Sequence, residues 1–153
     1  MDILWNEIAS GVPSLEQALR VVIRLLAAAA LAGLIGFERE SRGKAAGLKT
    51  HMLVAIGSAM FVLAPLEAGM EMADLSRVVQ GVAAGIGFIG AGAILKLTGE
   101  REIQGLTTAA GVWMTAAVGL AAGMGRFGLA AMSVVLGLLI LALVARVERG
   151  QSS

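Results

Sequence analysis

Two short polar segments hold most of the residues that could do chemistry: Glu38-Arg39-Glu40-Ser41-Arg42-Gly43-Lys44 and Gly47-Leu48-Lys49-Thr50-His51. Magnesium takes oxygen ligands and keeps several waters, so paired carboxylates are the first arrangement to look for. On a continuous helix Glu38 and Glu40 would lie ~200° apart and could not share one ion. Glu38 and Arg42 stand at i and i+4 and can instead pair across one turn. The same charges also set orientation in a membrane. His51 is the single histidine, and the chain has no cysteine. It therefore lacks the companions of a transition-metal site and suits an interhelical hydrogen bond or a place at the interface.

Gly85-Ile86-Gly87-Phe88-Ile89-Gly90 fits the glycine pattern of a dinucleotide loop. That loop needs a strand before it, a helix after it and an acid ~20 residues on. Here the glycines sit within one apolar run, and Ala109 and Ala110 stand where the acid should be. Nothing resembles a nucleophile beside its base. The expectation is a protein that is not an enzyme, with no cofactor and no metal site. The remaining polar groups, Gln80, Thr107, Thr108 and the indole of Trp113, lie inside apolar runs, where they could pack between helices or line a path.

The elements that position these residues must be membrane spans. The chain is 58% hydrophobic and only 15% charged, with a mean hydropathy of +0.85, whereas soluble domains carry ~25% charged residues. A net charge of +1 gives no reason to expect nucleic acid. Crossing ~30 Å of hydrocarbon takes ~20 apolar residues, and residues 21–37, 48–66, 78–95, 103–125 and 127–145 come close to that. The second stretch is the weakest, with a re-entrant segment as its alternative. Residues 1–19 read as an interfacial segment around Trp5, residues 20–146 as the transmembrane domain, and residues 147–153 as a short cytoplasmic tail. Eight of the twelve Lys and Arg residues fall on the side of the first and third connections and the C-terminus. The positive-inside rule then puts the N-terminus outside and the C-terminus in the cytoplasm.

Glycine in such runs lets helix backbones approach. At ~100° per residue, Gly81, Gly85 and Gly92 share one face of the third span, and Gly87 and Gly90 lie roughly opposite. Small residues on both sides predict that this span is the central helix. Thr108, Ala109, Ala116, Gly119 and Gly123 share one face of the fourth span and predict its packing face.

In order along the chain, Gly36-Phe37-Glu38-Arg39-Glu40, Ala46-Gly47-Leu48-Lys49-Thr50-His51, Gly85 to Gly92, and Gly105-Leu106-Thr107-Thr108-Ala109-Ala110 with Trp113 resemble the signature motifs of the MgtC/SapB membrane family. The resemblance covers roughly residues 20–125. It implies a bacterial inner-membrane protein of about five spans, linked to magnesium limitation, acid tolerance and survival inside host cells. It implies a regulator of a membrane complex, with a transporter or channel for a cation or small solute as the alternative. Longer members carry a cytoplasmic C-terminal domain, so this chain resembles a membrane-only form. The partners expected are the bilayer and either a second copy, as a dimer, or another inner-membrane complex. Glu38, Arg39, Glu40, Arg42, Gly47, Lys49, Thr50 and His51 form the expected interface cluster. Gln80, Gly81, Gly85, Gly87, Gly90, Gly92, Thr107, Thr108, Trp113, Gly119 and Gly123 form the expected packing or path-lining set.

Overall fold

A computed structural model describes residues 14–96 and 103–151 of the chain. The segment around Trp5 lies outside the described residues. The first described helix, α1 (Leu15–Ser41), starts earlier than its apolar run suggests, because Ser14 and Gln17 form a reciprocal capping box at its N-terminus. Arg20 and Glu16 pair on its exposed first turns at 2.9 Å. Its buried residues, Ala28, Ala32, Ile35 and Arg39 among them, recur every three or four positions and make one stripe.

Helix α2 (Leu48–Glu67) is continuous through the stretch that looked weakest. Its buried stripe of Ala55, Ala59 and Leu63 meets Ala28 and Ala32 of α1. Alanine against alanine lets the two backbones come close, which is the contact that stabilises helices in lipid. A turn through Gly69 and a 3-10 segment (Met72–Leu75) lead into α3 (Ser76–Gly92). Two-residue strands β1 (Leu95–Lys96) and β2 (Ile103–Gln104) then pair antiparallel, Leu95 opposite Gln104. Helix α4 (Leu106–Gly123) follows, and a tight turn through Gly125 brings α5 (Phe127–Gln151) back beside it. Apart from that minimal ladder the described fold is all-α, and five of its helices are long and apolar enough to cross a membrane.

The central helix is α4, and the expectation that the third span holds that place is wrong. Buried residues make up 56% of α4 but only 17% of the third span. All four hydrophobic clusters include α4: Ala122 against α1 and α2, Val118 and Ala121 against α1 and α5, Val112 and Ala116 against α3, and Leu120 against Val62 and Leu75. On α3, by contrast, a Cβ added at Gly81, Gly85, Gly87 or Gly92 would meet no atom within 4 Å. Only Gly90 packs, against Ala109. The physical reason is that a small residue permits close approach without demanding it. In lipid, glycine facing the acyl chains carries little penalty, so small residues on two faces do not fix which face is used.

The expected face of α4 is used. Thr108, Ala116, Gly119 and Gly123 are buried. A Cβ on Gly119 would lie 2.8 Å from the Ala55 Cα, and one on Gly123 would lie 2.9 Å from the Ala59 Cα. The backbones of α2 and α4 therefore touch where both glycines stand. Trp113 is a second correction: it is 53% exposed and faces outward instead of packing between helices. Lipid solvates an indole ring as readily as neighbouring side chains do, so burial in protein is not required of it.

Candidate functional site

The interface cluster is assembled where α1 ends and α2 begins. Arg39 falls on the buried stripe of α1 and is 3% exposed. A guanidinium in that position is tolerable only with a paired anion. Glu38 supplies it, accepting from Arg39 Nε at 2.6 Å. The other oxygen of Glu38 pairs with Arg42 across one turn, as the i,i+4 spacing predicts. One carboxylate thus holds two guanidinium groups.

Glu40 does something different. The chain reverses through Gly43, whose φ of +65° is a left-handed conformation that glycine adopts freely. The reversal brings α2 back against α1, and the Leu48 backbone N–H donates to Glu40 Oε2 at 2.7 Å. Gly47, the N-cap of α2, has no side chain to satisfy the free N–H groups of the first turn. Glu40 provides that cap from the neighbouring helix and places its negative charge at the positive end of the α2 dipole. Two glycines make room. A Cβ on Gly36 would lie 2.8 Å from the Leu48 Cα, and one on Gly47 would lie 3.3 Å from the Glu40 Cβ.

His51, one turn into α2, is fully buried. Its Nδ1 lies 2.9 Å from the Gly47 carbonyl oxygen. A carbonyl can only accept, so Nδ1 carries the proton and Nε2 is left as an acceptor without a partner. Nε2 points towards Gly111 of α4, where an added Cβ would be 3.6 Å away. The Gly111 carbonyl is itself taken by the Thr115 hydroxyl at 2.9 Å.

Of the eight residues in the expected cluster, Glu40 and Gly47 form a clasp between α1 and α2, Glu38, Arg39 and Arg42 form an ion-pair group within the end of α1, and His51 bonds to Gly47 within α2. Lys49 is exposed and Thr50 half-buried, and neither enters the clasp. The carboxylates are engaged by guanidinium groups and a backbone N–H, not turned towards a shared ion. Among the described residues no three His, Asp or Glu side chains are placed to hold a metal.

The path-lining residues do not converge. Gln80, Thr107 and Trp113 are exposed, while Thr108 is buried against the bundle. Two features were missed from sequence. Arg24, half-buried in α1, donates from its guanidinium to the Gly123 carbonyl at 2.9 Å and so caps the C-terminus of α4. Its signal was present: Arg24, Ala28 and Ala32 lie four apart on one stripe. The second is a lateral groove between α2 and α3, of about 600 Å³, to which Gly57 and Ser58 contribute.

The architecture is that of a multi-pass helical membrane protein whose polar residues tie helices together at the ends of the spans. The chain belongs to the MgtC family, whose model matches residues 25–150. It is 43% identical to SrpB of Synechococcus elongatus over 82% of this chain and 75% of that protein. It is 43% identical to YhiD of Escherichia coli K12, a candidate magnesium transporter by name, over 78% of this chain and 58% of YhiD. It is 40% identical to MgtC of Salmonella typhimurium over 69% of this chain and 44% of MgtC. The match thus spans roughly half the length of the last two relatives. No solved structure matches the chain.

Proposed function

We propose that this chain is a non-enzymatic regulator in the bacterial inner membrane, serving cells under magnesium limitation, acid or intracellular stress. It acts through helix–helix contacts with a second copy or with another inner-membrane complex. Its N-terminus lies outside and its C-terminus in the cytoplasm, on the strength of the Lys and Arg distribution. The observation that carries the reading is the dispersal of the polar groups. A carrier needs polar side chains that converge at depth between helices. Here Gln80, Thr107 and Trp113 are exposed, and the buried polar groups His51, Ser58, Thr108 and Thr115 stand among Ala28, Ala55, Ala59 and Val118, with His51 and Thr115 bonded to backbone carbonyls of their own helices.

With Gly119 and Gly123 taken up inside the bundle, the contact surface assigned to a partner is the outward face of α3. Gln80, Ala84, Gly87 and Ala91 recur there at three- and four-residue spacing, all exposed. Such a face admits a neighbouring backbone, and Gln80 offers a hydrogen bond across the contact.

The second reading is cation transport, which the name of YhiD favours. Purified protein in liposomes separates the two. The regulator reading expects no magnesium or proton flux above empty vesicles, together with a dimer or co-purifying membrane complex that Gly87→Leu weakens. Saturable magnesium flux, lost in Thr108→Val or Glu38→Ala with association unchanged, would overturn it.

A further inference from the structure

Helix α3 packs on α4 through Val82, Ile86 and Gly90, and it shares clusters with α2 at Val62, Leu66, Leu75 and Val78 beside the 3-10 turn and at Val54 beside Ile86. Between α2 and α3 lies the groove of about 600 Å³. Its walls include Leu53, Gly57, Ser58 and Phe61 of α2 and Gly81 and Gly85 of α3. Ser58 is the only polar side chain among all the lining residues. Water has too few partners in such a space, since a held water needs two to four polar contacts. Hydrocarbon must fill it.

The dimensions say which hydrocarbon. The groove follows α2 for ~12 Å from Leu53 to Phe61 and α3 for ~17 Å from Val78 to Ile89, at ~1.5 Å per residue. That is about half of the ~30 Å hydrocarbon thickness, so the groove is about one leaflet deep. A spanning helix from a partner or a second copy would run through both leaflets. At ~30 Å³ for each water-sized unit, a volume roughly that of one methylene, the space is ample for the stretch of one chain that this depth admits. One acyl chain fits that requirement.

The two mouths differ in charge. At one, Lys49 lies a single turn beyond Leu53 on the same stripe of α2, and it is exposed. The loop carrying the exposed Lys44 is anchored beside the groove, because Ala46 is buried in one cluster with Ile86, against which Val54 and Val82 pack, and all three line the groove. Lys49 forms no ion pair with a described residue. The other mouth has Arg77 beside three acids, Glu67, Glu71 and Asp74. An anionic headgroup is therefore attracted to the first mouth and not to the second.

We propose that the groove between α2 and α3 is a binding site for an anionic phospholipid, with one acyl chain between Gly57 and Gly85 and the phosphate at Lys49. This does not depend on the regulatory reading, which concerns the opposite arc of α3.

Native mass spectrometry of the full chain in mild detergent tests it, with dipalmitoyl phosphatidylglycerol and dipalmitoyl phosphatidylcholine as probes. The glycerol lipid should be retained in preference to the choline lipid. Lys49→Gln should reduce that preference about fivefold, the factor for one basic residue at an anionic surface. Gly85→Leu, whose side chain enters open space, should lower retention of both lipids while leaving the melting temperature unchanged. Equal retention of the two lipids by the unaltered chain, an unchanged preference in Lys49→Gln, or full adducts in Gly85→Leu would each overturn the proposal. So would a second copy of the chain displaced by Gly85→Leu. Loss of partner association in Gly87→Leu bears only on the regulatory reading, so the two fail separately.

Discussion

Glu38 and Glu40 are two residues apart and have separate tasks, which makes their substitutions distinguishable. Glu38→Ala leaves Arg39 buried without its anion, and breaking a buried pair by removing one partner typically costs ~3–5 kcal/mol. Thermal melting of the purified protein should show a large drop, and Arg39→Met in the same background should recover much of it. No recovery would mean that Glu38 has a role apart from neutralising Arg39. Glu40→Ala removes a helix cap and should cost about 1 kcal/mol, with Glu40→Gln losing less because its amide oxygen can still accept from Leu48. The i,i+4 pair of Glu38 and Arg42 was legible in sequence because one helix fixes it. The Glu40 cap was not, because it joins residues eight apart across a chain reversal. The sequence could propose a cluster of charges, but only the return of α2 shows that Glu40 and Gly47 fasten the two helices together.

Among the elements, α4 and α3 exchange the places that glycine spacing alone suggests. Gly119→Leu and Gly123→Leu would drive a side chain into the α2 backbone, and overpacking of this kind typically costs ~1–3 kcal/mol. Folded yield in detergent should fall for both. Gly85→Leu and Gly81→Leu should leave it unchanged, and equal loss in all four variants would contradict the central position of α4. The span count and the α4 packing face were readable because length and periodicity report directly on a single helix. Which helix sits at the centre depends on how five stripes meet. Phe88 illustrates the difficulty: an 86% exposed aromatic ring on α3 is unremarkable in lipid, so hydrophobicity no longer separates inside from outside.

For the molecule as a whole, an odd number of spans puts the two ends of the chain on opposite sides. Reporter fusions after Ala73 and after Ser153 should therefore mark opposite compartments, the first outside and the second in the cytoplasm. The same compartment for both would mean that one of α3, α4 and α5, the helices between the two fusion points, does not cross. Reversed compartments would keep the three spans between the fusion points and invert the orientation argued from Lys and Arg. The number of spans was legible from hydropathy because the bilayer fixes a required length. The lateral opening between α2 and α3 was not, because it lies between Leu53 to Phe61 of one helix and Val78 to Ile89 of another, and no local pattern of residues encodes how two helices stand apart.

The bond from Arg24 to the Gly123 carbonyl joins residues 99 positions apart, and this gives biogenesis a clock. A ribosome adding ~5–20 residues per second needs on the order of 5–20 s to make the chain between donor and acceptor. Throughout that interval the Arg24 guanidinium lacks its Gly123 acceptor, and such a group costs ~2.5–3.5 kcal/mol at mid-membrane and less near the surface. Helix α1 thus cannot complete this contact until the end of α4 has been made.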